Sequence, residues 1–180
     1  MALSVFIRHQ QSGLTSSRAE LNAYTRALMR CVITNEEKNK SANREIGVPR
    51  RSANREMWRS QEISIVYTSL AAIRKLNEEW RGIDKATDVL SFPAPKVMRR
   101  GGHLGDLAIC LPVCAEEVPE FGESLAEVVA LMLVHGYLHL TGMDHDTAKS
   151  ERLMEKQTAG LLSKCAQIPR PKIRVRKTAR

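Results

Sequence analysis

The four cysteines, Cys31, Cys110, Cys114 and Cys165, include no CxxC pair. They read as buried or incidental thiols of a reducing compartment. No apolar run is long enough to span a membrane, so no membrane partner is expected. Acidic residues are absent from the first nineteen positions, which carry Arg8, Arg18 and four serines. That composition resembles a mitochondrial transit peptide and makes a mitochondrial location the expectation, with a cytoplasmic one as the alternative. The same stretch also reads as a strand, through Leu3-Ser4-Val5-Phe6-Ile7. Large apolar groups are scarce in residues 34–59, where Ser-Ala-Asn-Arg-Glu occurs twice, at 41–45 and 52–56. Such a segment cannot bury enough surface to fold alone and is expected to be an exposed basic insertion. The last eleven residues, 170–180, again lack any acid and read as a flexible basic tail.

What is present fits one domain over residues 1–169, long enough for a sizeable core. Lys and Arg number 28 against 20 Asp and Glu, a net charge of +8. A basic protein of this size favours an anionic partner, nucleic acid first, although charge also serves solubility. Residues 3–9 form an expected first strand. Ser16 or Ser17 caps a helix to about Val32, with Leu21, Tyr24, Leu28 and Val32 along one side. Glu62-Ile63-Ser64-Ile65-Val66-Tyr67 alternates as a strand. A helix capped by Thr68 or Ser69 follows, with Leu70, Ile73, Leu76 and Trp80 facing inward, and Arg81-Gly82 ends it. Two further strands, 87–93 and 104–110, flank a glycine-bearing loop and suggest an antiparallel pair. Ser124 and Glu127 form a capping-box pattern before a helix that is apolar nearly all round and therefore buried. Asp146 or Thr147 caps a last helix to about Cys165.

That buried helix carries the stretch around which the chain is organised, His135-Gly136-Tyr137-Leu138-His139-Leu140-Thr141-Gly142-Met143-Asp144-His145. Residues i and i+4 share a helix face, so His135 and His139 can point at one metal ion. Gly142 can break the helix and let His145 swing back as a third ligand. Three imidazoles leave a fourth position of a tetrahedral zinc open, the arrangement of a catalytic site with about one Zn2+ per chain. The histidines and the glycine match the metzincin pattern H-E-x-x-H-x-x-G-x-x-H, but Gly136 stands where that pattern has its glutamate base. The metal site survives this change and the peptidase mechanism loses its proton acceptor. A metallopeptidase with a base from elsewhere therefore stays open as the weaker reading.

Three segments together resemble the YbeY family of metal-dependent endoribonucleases. They are His135 to His145, Thr87-Asp88-Val89-Leu90-Ser91-Phe92-Pro93, and Leu104-Gly105-Asp106-Leu107-Ala108-Ile109-Cys110, with Trp80-Arg81-Gly82 preceding the second. The resemblance implies an α+β fold: a central mixed sheet of about four strands, antiparallel pairing included, packed with about four to five helices. It implies a zinc held by His135, His139 and His145 on a buried helix and the turn after it. It implies cleavage of single-stranded RNA, maturation of small-subunit ribosomal RNA, and ribosome assembly and quality control. The implied partners are the small ribosomal subunit or its precursor, a small-subunit ribosomal protein and an assembly GTPase. The insertion, the tail and the basic charge depart from the bacterial pattern and suggest a eukaryotic or organellar member. Arg81 stands where the family has its functional arginine, and a guanidinium suits a bidentate grip on phosphate. Arg81 and His135 are thus the candidate catalytic residues. Asp144 and Asp106 are candidates to orient a ligand histidine, with Asp144 equally suited to capping the following turn. Arg170, Lys172, Arg174, Arg176 and Lys177 are candidate RNA contacts. A zinc- and RNA-binding assembly factor that cuts little is the alternative to the nuclease.

Overall fold

A computed structural model describes residues 2–10, 12–44 and 60–176. The strands are β1 (Ala2–His9), β2 (Ser60–Thr68), β3 (Val89–Pro93) and β4 (His103–Cys110). The helices are α1 (Arg18–Arg44), α2 (Leu70–Arg81), α3 (Lys96–Arg100), α4 (Leu111–Glu116), α5 (Val118–Phe121), α6 (Leu125–Leu140) and α7 (Ala148–Lys164). The sheet runs in the order β1-β2-β4-β3. β1 and β4 both lie parallel to β2, and β3 closes the other edge antiparallel to β4. This is the expected α+β architecture with a mixed four-stranded sheet.

The two faces of the sheet are covered unequally. Alternation in β2 turns Ile63, Ile65 and Tyr67 to one side, where Leu107 and Ile109 of β4 join them. Helices α1, α6 and α7 bury that face through residues such as Leu21, Leu28, Val32, Leu133, Leu138, Met154 and Leu161. A smaller cluster of Ile73, Leu90, Ala108 and Cys110 fills the opposite face beneath α2. At roughly 25 cal/mol per Å² of apolar surface, the larger face dominates stability. Three buried hydrogen bonds made by hydroxyls join elements across it. Thr25 and Tyr67 bond at 2.6 Å, Tyr24 O–H donates to the Ala126 carbonyl at 3.3 Å, and Tyr137 O–H donates to the Glu36 carboxylate. Burial pushes the Tyr137 phenol above its ordinary value, so it keeps the proton it donates.

Four expectations need correction. Helix α1 does not stop near Val32. It runs to Arg44, because Ile33 and Glu36 continue its buried side into the stretch read as an exposed insertion. The rest of that insertion, 45–59, lies outside the described residues. Trp80 does not face inward: it is 65% exposed, and Asn77 takes the buried place one turn earlier. Cys31 and Cys165 are not separate thiols but a disulfide with Cα atoms 6.0 Å apart, while Cys110 and Cys114 are the buried free thiols. A bond spanning 134 residues removes much unfolded-chain entropy, about 5 kcal/mol in the loop-closure model.

The fourth correction concerns the tail, which is docked as far as it is described. Leu14 and Val175 form an antiparallel bridge, flanked by Thr15 N–H to the Arg174 carbonyl at 2.8 Å and Arg176 N–H to the Gly13 carbonyl at 2.9 Å. Ile173 and Val175 pack against the main core. Arg170 Nη1 meets Glu127 Oε1 at 2.9 Å. Deleting residues 170–180 should therefore lower stability by about 2 kcal/mol, mostly from the two aliphatic side chains. Urea unfolding checks this: the midpoint should fall, and an unchanged midpoint would show that the docked segment contributes nothing.

Candidate metal centre

The site is built on α6. Ser124 N–H donates to Glu127 Oε2 at 3.0 Å in the expected capping box, which fixes where the helix starts. Twelve of its sixteen residues are buried. At Gly136 the helix lies close against the sheet. A Cβ there would lie 2.8 Å from Leu107 Cδ2 and 3.2 Å from Ser91 Oγ. The glycine in place of a peptidase glutamate thus suits close packing, since any side chain here would have to push aside the ends of Leu107 and Ser91.

His135 and His139 lie one turn apart on this helix, half-buried. Gly142, at φ +96°, turns the chain, with its N–H on the His139 carbonyl at 2.9 Å and Met143 N–H on the Leu138 carbonyl at 3.0 Å. Asp144 Oδ1 then accepts the His145 backbone N–H at 2.9 Å and shapes the return. One ring nitrogen from each histidine falls within 4.8 Å of the others. The Nε2 atoms of His135 and His139 are 3.1 Å apart. Tetrahedral zinc with ligands at about 2.0–2.1 Å spaces its donors by roughly 3.4 Å, so the donor set fits such an ion. His139 Nδ1 sits 3.0 Å from the Met143 carbonyl; donating there leaves the lone pair on Nε2, the atom that faces its neighbours. Burial first, and the neighbouring histidines second, hold His135 and His139 below the ordinary imidazole pKa. Both therefore stay neutral, as ligation requires.

Arg81 reaches the same place from the other side of the sheet edge. It is the last residue of α2, where Gly82, at φ +70°, ends the helix. Gly82 N–H takes the Glu78 carbonyl at 3.0 Å and Ile83 N–H takes the Asn77 carbonyl at 3.3 Å. Backbone groups thus satisfy those terminal carbonyls without the Arg81 side chain. Asn77 Nδ2 donates to the Lys85 carbonyl at 2.8 Å, and Arg74 pairs with Asp84, so the turn after Arg81 is tied back at two points. Exposed Trp80 stands against Phe92 edge-to-face, ring centres 5.6 Å apart.

A cleft of about 460 Å³ joins these parts, lined by Arg81, Ser91, Pro93, Arg99, His139, Gly142, Met143 and Asp144. Family-model comparison matches residues 33–166 to "Endoribonuclease YbeY". The chain belongs to the YbeY family. Among its relatives, "Endoribonuclease YbeY" of Moorella thermoacetica is 40% identical over 111 residues, covering 57% of this chain and 71% of that protein. The protein of the same name from Sulfurihydrogenibium sp. is 47% identical over 91 residues, 50% of this chain and 60% of that one. The one from Rhizobium johnstonii is 43% identical over 97 residues, 52% of this chain and 57% of that one.

YbeY membership gives the individual residues a common frame. His135, His139 and His145 converge, and Arg81 and Asp144 share a cleft with His139. Asp144 holds backbone, the capping alternative, and acts on the His139 ring through its charge rather than through a hydrogen bond. Asp106 is exposed on β4 beside His103, its Oδ2 3.9 Å from Nε2, and not beside a ligand histidine. Arg170 is engaged by Glu127 in the first turn of α6, about 18 Å along the helix from His139. Arg174 and Arg176 lie in the bridged segment, Lys172 is exposed next to it, and Lys177 falls outside the described residues. Sequence reasoning missed Arg99 and Ser91 as lining residues. Arg99 belongs to a basic run, Lys96-Val97-Met98-Arg99-Arg100, that was legible only as loop charge.

Two outcomes are expected. Metal analysis after gentle purification should find about one ion per chain, and His139→Ala should lose it. The ion should leave as pH falls below the ordinary imidazole range near 6.5, because protonated rings cannot ligate. Full metal retention in His139→Ala would refute the ligand assignment. Separately, Gly136→Glu should cost more than about 3 kcal/mol in urea unfolding, since it buries a carboxylate against Leu107. A variant as stable as the parent would show that the helix can lift off the sheet.

Proposed function

We propose that this chain is a zinc-dependent endoribonuclease that cuts single-stranded RNA, with small-subunit ribosomal RNA or its precursor as the substrate class. The observation that carries the proposal is a cleft that brings His139, one of three converging histidines, together with an arginine that no described carboxylate engages. Family membership supports the same reading, as do the relatives whose names specify an endoribonuclease.

Zinc bound at such a site supplies a Lewis acid and lowers the pKa of coordinated water. The chain's own residues do the rest. His135, His139 and His145 offer ring nitrogens from a rigid helix and a short turn, so little reorganisation accompanies binding. Among the described residues no carboxylate pairs with Arg81, which leaves its guanidinium available to a phosphate. Its fork matches two phosphate oxygens and offsets charge that grows in the transition state. Trp80, exposed on the preceding residue, offers an unstacked base an aromatic surface beside that phosphate. Gly136 leaves no glutamate base at the helix position a metallopeptidase would use.

Binding and chemistry should therefore fail separately. Arg81→Ala should keep metal and fold, because the side chain is exposed and the helix end is closed by backbone. It should lose cleavage by on the order of a hundredfold, the worth of one charge contact of about 3 kcal/mol. Arg81→Lys should recover only part. Single-turnover assays on single-stranded RNA, duplex RNA and casein, with zinc-loaded and stripped protein, test this. Normal cutting by Arg81→Ala removes that residue from the reaction. Absence of metal-dependent RNA cutting by the parent protein leaves an assembly factor that binds without catalysis.

A further inference from the structure

The Arg81 site has a second cation that comes from a different element. Short helix α3 follows Pro95, and its Arg99 lines the same cleft as Arg81 and His139. Arg99 is only partly exposed. Its Nε donates to the Ala94 carbonyl at 2.8 Å, which fixes the plane of the guanidinium. That bond uses one of five N–H donors and leaves both terminal amino groups. Among the described residues no carboxylate forms an ion pair with Arg99. Asp144, the acid in the cleft, has one oxygen on the His145 backbone N–H. A cation held by its Nε in a cleft, with its outward donors unspent, is arranged for an anion that arrives from solution.

We propose that Arg99 binds a second phosphate of the RNA strand, next to the phosphate gripped by Arg81. The inference rests on the endoribonuclease reading above and names what that reading leaves open: how a strand, rather than a single phosphodiester, is seated. One cation cannot set the direction of a chain. Two on separate elements, in the same cleft as His139, fix a register along the backbone. Arg99 acts on substrate binding in this scheme, and Arg81 on the cleavage step.

The test uses full-length, zinc-loaded protein and a fluorescent single-stranded RNA oligonucleotide, with anisotropy followed across a salt series and single-turnover cleavage run in parallel. Arg99→Ala should weaken binding about tenfold and reduce the slope of log affinity against log salt by about 0.7, one phosphate contact on a single strand. The rate at saturating protein should stay within about twofold of the parent. Arg99→Lys separates charge from local structure, because it keeps the cation and loses the Nε bond to Ala94. Under the proposal Arg99→Lys keeps the parent salt slope. If Arg99→Lys fails as Arg99→Ala does, Arg99 only braces α3 and the proposal falls. Parent-like affinity and slope in Arg99→Ala also overturn it. Should the parent bind RNA without cutting it, the nuclease reading fails while the salt slopes still decide the role of Arg99.

Discussion

Close contact between α6 and the sheet at Gly136 is the constraint on which the site depends. An interior as dense as an organic crystal leaves no slack there. With Leu107 Cδ2 2.8 Å from where a Cβ would sit, the glycine lets the helix lie this close to the buried leucine in one rotation. That rotation decides where His135 and His139 point, and the Tyr137 hydrogen bond to Glu36 resists any roll of the helix from its far side. The ligands are thus positioned by apolar packing and by a buried phenol, and only secondarily by each other. Such preorganisation spares a bound ion the cost of ordering its own ligands.

Much of this was legible in the sequence because it is local. The three histidines, the helix-breaking Gly142 and the Ser124–Glu127 cap all fall within about twenty residues, where helical periodicity alone brings groups together. The alternation in β2 and the antiparallel β3–β4 pair were equally readable. What escaped reading is long-range. Nothing near Cys31 announces Cys165, and nothing in the basic C-terminal segment announces Leu14. Glu36 looked like part of a solvated run until Tyr137, 101 residues away, came to meet it. Trp80 failed for another reason. Helical phase placed it with Leu70, Ile73 and Leu76, but the partner surface ends before it, at Phe92 on an edge strand. Periodicity names a face and not how far that face is covered.

Charge follows a similar division. An overall excess of cations suggested an anionic partner, but it did not say which cations are spent internally. Arg74 is spent on Asp84 and Arg170 on Glu127, and both serve architecture. Arg81 and Arg99 carry no such internal partner among the described residues, and both face one cleft with His139. The distribution of engaged and unengaged arginines carries more functional information than the net charge.

The bridge between Leu14 and Val175 has a consequence for how the molecule assembles. It joins residues about 160 positions apart, as does the Thr15 hydroxyl bond to the Arg174 carbonyl at 3.2 Å. Contacts between such distant positions form late, after the sheet and its helices have closed most of the intervening loop. On a chain emerging from its amino end, the backbone groups of Gly13 and Thr15 wait for residues 174–176 before these bonds can form. The loop between β1 and α1 thus gains its last backbone partners from a segment distant in sequence, after its own Leu14 has already met the core.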